Sequence, residues 1–194
     1  NASTGKMGYA LARACIKQGA SVTLVSGPTQ QSMKAWEAFA PVKVVDVVSS
    51  AEMCEAAVDA CPKADMAILC AAVADFTPIT VAQQKIKKQP GQTEMTVELK
   101  MTTDIAATLG KRKNPGQKLI GFALETHDEL ANAERKMQAK NLDMIVLNSL
   151  QDKGAGFGVD TNKVTLLYAN GTKKDLPLLL KQEVADIIVD NIIN

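Results

Sequence analysis

The sequence predicts an α/β domain: a mostly parallel sheet with helices on both faces, plus a C-terminal β-hairpin and helix. Three observations carry this. Short apolar runs such as Ala20–Val25 (ASVTLV), Ala64–Cys70 and Leu119–Leu124 (LIGFAL) read as strands buried on both sides. Helical patterns alternate with them, the arrangement that builds a parallel sheet. Asn170-Gly171, between Val164–Tyr168 and Lys173–Leu176, is a strong hairpin signal.

The elements follow in order. Residues 6 to 18 place Met7, Ala10, Leu11, Ala14 and Cys15 at helical spacing, and Gly19 stands where a helix C-terminal glycine belongs. Ala20–Val25 is a strand closed by Ser26-Gly27-Pro28, and Val42–Val48 includes a second. A helix over 50–60 begins at Ser49 or Ser50 with Glu52 in its first turn. Ala64–Cys70 is a third strand, and Met95–Met101 (MTVELKM) alternates like a half-exposed one. Thr102, Thr103 and Asp104 can cap a short helix through Leu109. Leu119–Leu124 is buried strand, 127–140 is a charged amphipathic helix, and Met144–Leu147 is a strand ending at Asn148. GAGFG at 154–158 is a glycine loop, and an apolar helix covers 180–193.

The chain's 194 residues suffice for one domain with a sizeable core. Its 22 basic and 21 acidic residues nearly cancel, so no global field points to nucleic acid and any anion site must be built locally. Cys15, Cys54, Cys61 and Cys70 show no CxxC spacing and read as reduced thiols. No apolar run approaches the roughly 20 residues of a membrane span, and no signal peptide is visible, so a cytoplasmic location is expected. The chain opens in a loop feeding a helix, where nucleotide-type domains begin with a strand. An upstream strand and turn are therefore expected to be missing from it.

In such sheets ligands bind beyond the carboxyl ends of the strands. There the sequence places Ser26-Gly27-Pro28, then Ala71, Ala72, Ala74 and Asp75, then Glu125-Thr126, then Asn148-Ser149. Small residues admit a planar group and Asp75 can accept from hydroxyls or an amine; equally, such residues merely end strands. Ser3, Thr4, Gly5 and Lys6 could bind an anion at a helix start or simply cap it, for neither a Walker A nor a GxGxxG spacing is present. Lys85, Lys87 and Lys88 form one cationic cluster, and Lys136 and Lys140 share a helix face. Either cluster alone would usually be solvated surface. His127, the one histidine, sits at a helix start and supports no Ser–His–Asp arrangement. Sites of the Cys/His metal type are absent, leaving Mg²⁺ held largely by substrate phosphates.

NASTGKMG before a helix, then VTLVSGP, AAVADF, KIKK, GFALET and KNLDMIVLN, in that order along the chain, resembles phosphopantothenoylcysteine synthetase, the phosphopantothenate–cysteine ligase of coenzyme A biosynthesis. The resemblance implies a Rossmann-like fold, a homodimer and, in the bacterial type, activation of 4′-phosphopantothenate by CTP as an acyl-cytidylate that the cysteine amine attacks. It implies that Ala71, Asp75 and Phe122 hold the nucleoside and that Lys85 contacts the phosphates from a flap. By the same resemblance, Thr103, Asp104, Ile105, Ala106, Lys136 and Lys140 would complete the CTP site. Asn1 matches the asparagine that handles the acyl-cytidylate. The sequence departs at Thr4, where serine is commoner, and lacks the family's earlier strand and glycine-rich turn. A nicotinamide-dependent oxidoreductase and a non-catalytic nucleotide-binding module are the alternatives. Against the first stand the missing GxGxxG and the lack of an acid ending ASVTLV.

Overall fold

The computed structural model of the protein describes residues 3–88, 90–125, 127–149 and 158–193. Helix α1 (Lys6–Lys17) buries Tyr9, Ala10, Leu11, Ala14 and Cys15, and stops at Gly19, whose φ of 83° takes the left-handed conformation a helix terminus needs. Neither Ser3 nor Thr4 caps it. The N-cap is Gly5 at φ 75°, and a Cβ there would stand 2.8 Å from Thr29 Oγ1. Thr29 also donates to the Thr4 carbonyl at 2.8 Å, so it both requires glycine at position 5 and holds the chain that enters α1.

Strand β1 (Val22–Ser26) is followed by a short helix α2 (Lys34–Glu37) that the sequence did not announce, and by β2 (Val42–Asp46). Helix α3 (Ser50–Ala60) is capped by Ser49, whose hydroxyl accepts from Glu52 N while Glu52 Oε2 accepts from Val48 N. Strand β3 (Met66–Leu69) leads to an arm whose base is β4 (Phe76–Pro78) paired antiparallel with β5 (Leu99–Met101). The strand expected over 95–101 is therefore shorter. Its partner strand ends at Pro78, and beyond it the ladder continues only through Ile79 N to Glu98 O. Helix α4 (Ile105–Arg112), β6 (Lys118–Glu125), α5 (Glu129–Ala139) and β7 (Met144–Ser149) follow. The tail comprises β8 (Thr161–Asn162), the hairpin β9 (Val164–Tyr168) and β10 (Lys173–Asp175), β11 (Leu179–Leu180) and α6 (Lys181–Ile193).

The main sheet runs β10-β9-β7-β6-β3, parallel from β3 through β7 and antiparallel across the hairpin. Strand β6 shows why its sequence is continuously apolar. Ile120 packs with α1 and α6 residues such as Leu11 and Ile188, whereas its neighbours Leu119 and Ala123 pack with Leu109 of α4 and Met137 of α5. Both faces are covered, so both sets must be apolar. Strands β1 and β2 form a separate parallel pair. Among the described residues β1 is paired only with β2, and β3 only with β6, so each presents one free edge. A cavity of about 1980 Å³ lies between those edges and along the carboxyl ends of the strands. Its walls include Val22 and Leu24 of β1, Met66 and Ile68 of β3, Cys15 of α1 and Ala57 of α3.

Candidate functional site

Beyond β3 the chain passes from Cys70 to Asp75 along the cavity, and Thr102 fixes it there. The Thr102 hydroxyl donates to the Ala74 carbonyl at 2.6 Å, and its amide donates to the Asp75 carbonyl at 2.9 Å. These two bonds close the base of the arm and bring Asp75 beside Thr103 and the start of α4. Asp104 caps α4: Oδ1 accepts from Ala107 N at 2.9 Å, and the Thr108 hydroxyl donates back to its carbonyl. Burial works to raise the Asp104 carboxyl, but the Ala107 amide and Lys140 outweigh it and hold it below the usual aspartate range.

Helix α5 supplies the opposite cations. Lys140 Nζ lies 3.0 Å from Asp104 Oδ2, and Lys136 Nζ pairs with Glu125 Oε1 at the end of β6. Ala71, Asp75, Thr103, Asp104, Ile105, Ala106, Phe122, Lys136 and Lys140 all line the one cavity. Lys85 does not; it is exposed with its neighbours 81–88 on the arm. Asn1 lies outside the described residues.

The far wall holds Lys6 and Asn148, which the sequence had marked, beside Lys181 and Asn162, which it had not. Lys6 Nζ meets Asp160 Oδ1 at 2.6 Å rather than facing the cavity alone. Lys181, first residue of α6, is only 8% exposed and donates to the Val159 carbonyl at 2.5 Å. Burial, then the charge of Lys6, hold its ammonium below the usual lysine range, with Asp160 opposing. Cys70 is beside it, and burial pushes that thiol up to about 12 against the pull of Lys181. Buried Asn162 donates to Asn148 Oδ1 at 2.8 Å, and both line the cavity. A lysine opening an apolar helix reads as surface, so no signal in the sequence marks Lys181. Among the described residues no group of three or more His, Cys, Asp or Glu could hold a metal ion, and no helix is long and apolar enough to cross a membrane.

The family model described as the DNA/pantothenate metabolism flavoprotein C-terminal domain matches residues 1–194. The chain belongs to this family. The match and the motif resemblance agree, and other members are close in sequence. The chain is 48% identical over 193 residues to the coenzyme A biosynthesis bifunctional protein CoaBC of Bacillus subtilis (strain 168), covering 99% of this chain and 46% of that protein. It is 50% identical over 193 residues to a protein of an unknown prokaryotic organism named cysteine/cysteine sulfinic acid decarboxylase, covering 100% of this chain and 52% of that one. It thus spans about half the length of the curated relatives it matches. A crystal structure of the C-terminal domain of a CoaBC protein superposes with a TM-score of 0.79 at 39% identity, covering 98% of this chain and 82% of that one. The family's Rossmann-like architecture is the one described above, with the cavity at the strand ends where such folds bind ligands.

Proposed function

We propose that the chain is the ligase domain of coenzyme A biosynthesis. In this reading it joins 4′-phosphopantothenate to cysteine with CTP, through an acyl-cytidylate, releasing pyrophosphate and CMP. The observation that carries the reading is convergence. Thr102 ties Asp75 to the start of α4, and Asp104 of that helix pairs with Lys140, so residues expected at a CTP site meet at the strand ends in a chain whose whole length matches the family.

The chemistry needs two things from the protein. In the first step a carboxylate oxygen of phosphopantothenate bonds to the α-phosphorus of CTP, and the bond to pyrophosphate breaks. Lys136 and Lys140, the amino end of α4 and Lys85 from the arm spread the charge that builds on the departing phosphates. Ala71 and Phe122 leave a flat space for the base, and Asp75 accepts from the nucleoside. In the second step the cysteine amine bonds to the acyl carbon, loses its proton, and CMP leaves. Asn1 is assigned to donate its amide to the acyl oxygen in that step. Mg²⁺ would be held mainly by the phosphate oxygens of CTP, with Asp75 and Asp104 on the same cavity wall, and when bound it would supply further charge neutralisation.

Two further assignments belong to this reading. The slot between β1 and β3 takes one more extended strand, parallel to both and apolar on both faces, because α1 and α3 line it on opposite sides. The domain works as a homodimer through the arm. Among the described residues, eight of the fifteen exposed large apolar side chains lie between Phe76 and Met101.

The test is ligand-dependent stability. A ligand at 100 times its Kd adds about 2.7 kcal/mol to a native state that alone binds it. CTP with Mg²⁺ should raise the melting temperature clearly more than ATP, and formation of the phosphopantothenoyl–cysteine amide should require CTP. Equal shifts with both nucleotides remove the CTP assignment, and a shift with NADPH alone replaces the ligase by an oxidoreductase.

A further inference from the structure

The two lysines that α5 directs to the cavity each arrive already paired with a carboxylate. The pairs differ in depth. Glu125 is the buried member of its pair, 12% exposed against 43% for Lys136, whereas Asp104 is 49% exposed against 29% for Lys140. Glu125 is also held by its backbone, near the end of the β6–β7 ladder. Lys136 sits on a helix surface at the end of a four-carbon stem. A carboxylate at that depth is costly to leave alone, so the acid is the fixed partner and the ammonium the one that comes to it.

The four side chains cancel in charge, and the wall they form exerts no net pull on an anion from a distance. A ligand gains from it only by sharing an ammonium that a carboxylate already holds. A single phosphate has one chance to do so. A pyrophosphate or triphosphate offers oxygens to more than one of the two lysines and the amino end of α4, and each contact after the first is intramolecular.

We propose that Glu125 is a positioning residue for the phosphate site: it holds Lys136 at the cavity wall and sets how much charge a ligand needs to bind there. This rests on the polyphosphate reading of the site. Glu125 touches no reacting atom in this scheme and acts through Lys136 alone.

The experiment uses inorganic phosphate, pyrophosphate and tripolyphosphate as probes, without nucleotide, and measures their dissociation constants by calorimetry. In the protein as it stands, affinity should climb steeply with chain length. Glu125→Gln keeps the shape and frees Lys136, so pyrophosphate should bind about tenfold more tightly and the climb should flatten. Glu125→Asp keeps the charge but withdraws the carboxylate by one carbon, and it should fall between the parent and Glu125→Gln. In Glu125→Gln/Lys136→Gln the gain should vanish, which separates action through Lys136 from a general change of charge. Turnover offers a second readout: Glu125→Gln should lower KM for CTP and lower kcat as well, because pyrophosphate is released more slowly. An unchanged affinity series in Glu125→Gln, or equal weakening of all three anions, overturns the role of Glu125 while leaving the polyphosphate site standing. Absence of tripolyphosphate binding in every variant overturns both.

Discussion

Gly110 of α4 lies against the Lys140 carbonyl so closely that a Cβ on Gly110 would stand 1.9 Å from that oxygen. Asn141 seals the contact by donating Nδ2 to the Gly110 carbonyl at 3.0 Å. Two expected site residues, Asp104 at one end of α4 and Lys140 at the end of α5, are therefore placed by a helix crossing that only glycine permits. Alanine is the better helix former by about 1 kcal/mol. Overpacking typically costs about 1–3 kcal/mol and can exceed that when the obstacle is backbone. Gly110→Ala should therefore lower the melting temperature by several degrees and weaken CTP binding, as read by thermal unfolding with and without the nucleotide. A more stable variant would mean that the two helices separate freely.

The Asp104–Lys140 pair should be visible as a pH dependence. The Asp104 carboxyl titrates below its unfolded value of about 3.9. Its contribution is therefore present above that pH and is lost as the pH falls through the lower, folded value. Asp104→Asn keeps a competent helix cap but loses the charge. It should be the less stable protein at pH 7, and the difference should shrink steadily as the pH falls below about 4 in acid-unfolding curves. A gap that stays constant with pH would assign the effect to capping geometry.

Lys85 gives a cleaner separation of activity from stability. It is exposed on the arm, and surface substitutions usually stay within about 0.5 kcal/mol. Lys85→Gln should leave the melting temperature unchanged, yet slow acyl-cytidylate formation by about 10²-fold, the usual loss for one transition-state donor. Pyrophosphate release in a single turnover measures it. Near-normal release would return this lysine cluster to ordinary solvated surface.

The arm makes a prediction about assembly. Met95 and Val97 are 60% and 50% exposed and belong to its apolar surface. Replacing both with lysine should convert a dimer to a monomer in sedimentation velocity while leaving the circular dichroism unchanged. A parent protein that already sediments as a monomer would remove the homodimer from the proposal.

Much of this was legible because burial on two faces leaves a strong trace. The apolar continuity of LIGFAL and the alternation of helix and strand gave the parallel sheet. Asn170-Gly171 gave the hairpin, with Gly171 at φ 83°. Asp104 was readable as a cap, since a short acceptor before a helix has a local reason to be there. What failed depends on contacts across distance. Thr29, twenty-five residues from Thr4, decides how α1 begins. Thr102 joins Asp75 to α4 from 28 residues beyond Ala74. Lys181 is hidden only because the tail returns beneath the cavity. The strand over 95–101 is shorter than expected because alternation in MTVELKM reports one covered face and not the length of its partner strand.

The open slot also bears on how the molecule breathes. Backbone amides resist hydrogen exchange to the extent that their ladder must open before solvent reaches them. Among the described residues the ladder is interrupted between β1 and β3, and packing by helices such as α1 and α3 joins the β1–β2 pair to the five-stranded sheet. With no strand in the slot, the β1–β2 pair should lose protection more readily than the five-stranded sheet. A strand seated between them would supply hydrogen bonds to both edges at once and turn two exchange regimes into one. Occupancy of that single slot would then be readable far away, in the protection of Val22–Ser26 and Met66–Leu69, before any catalytic assay is run.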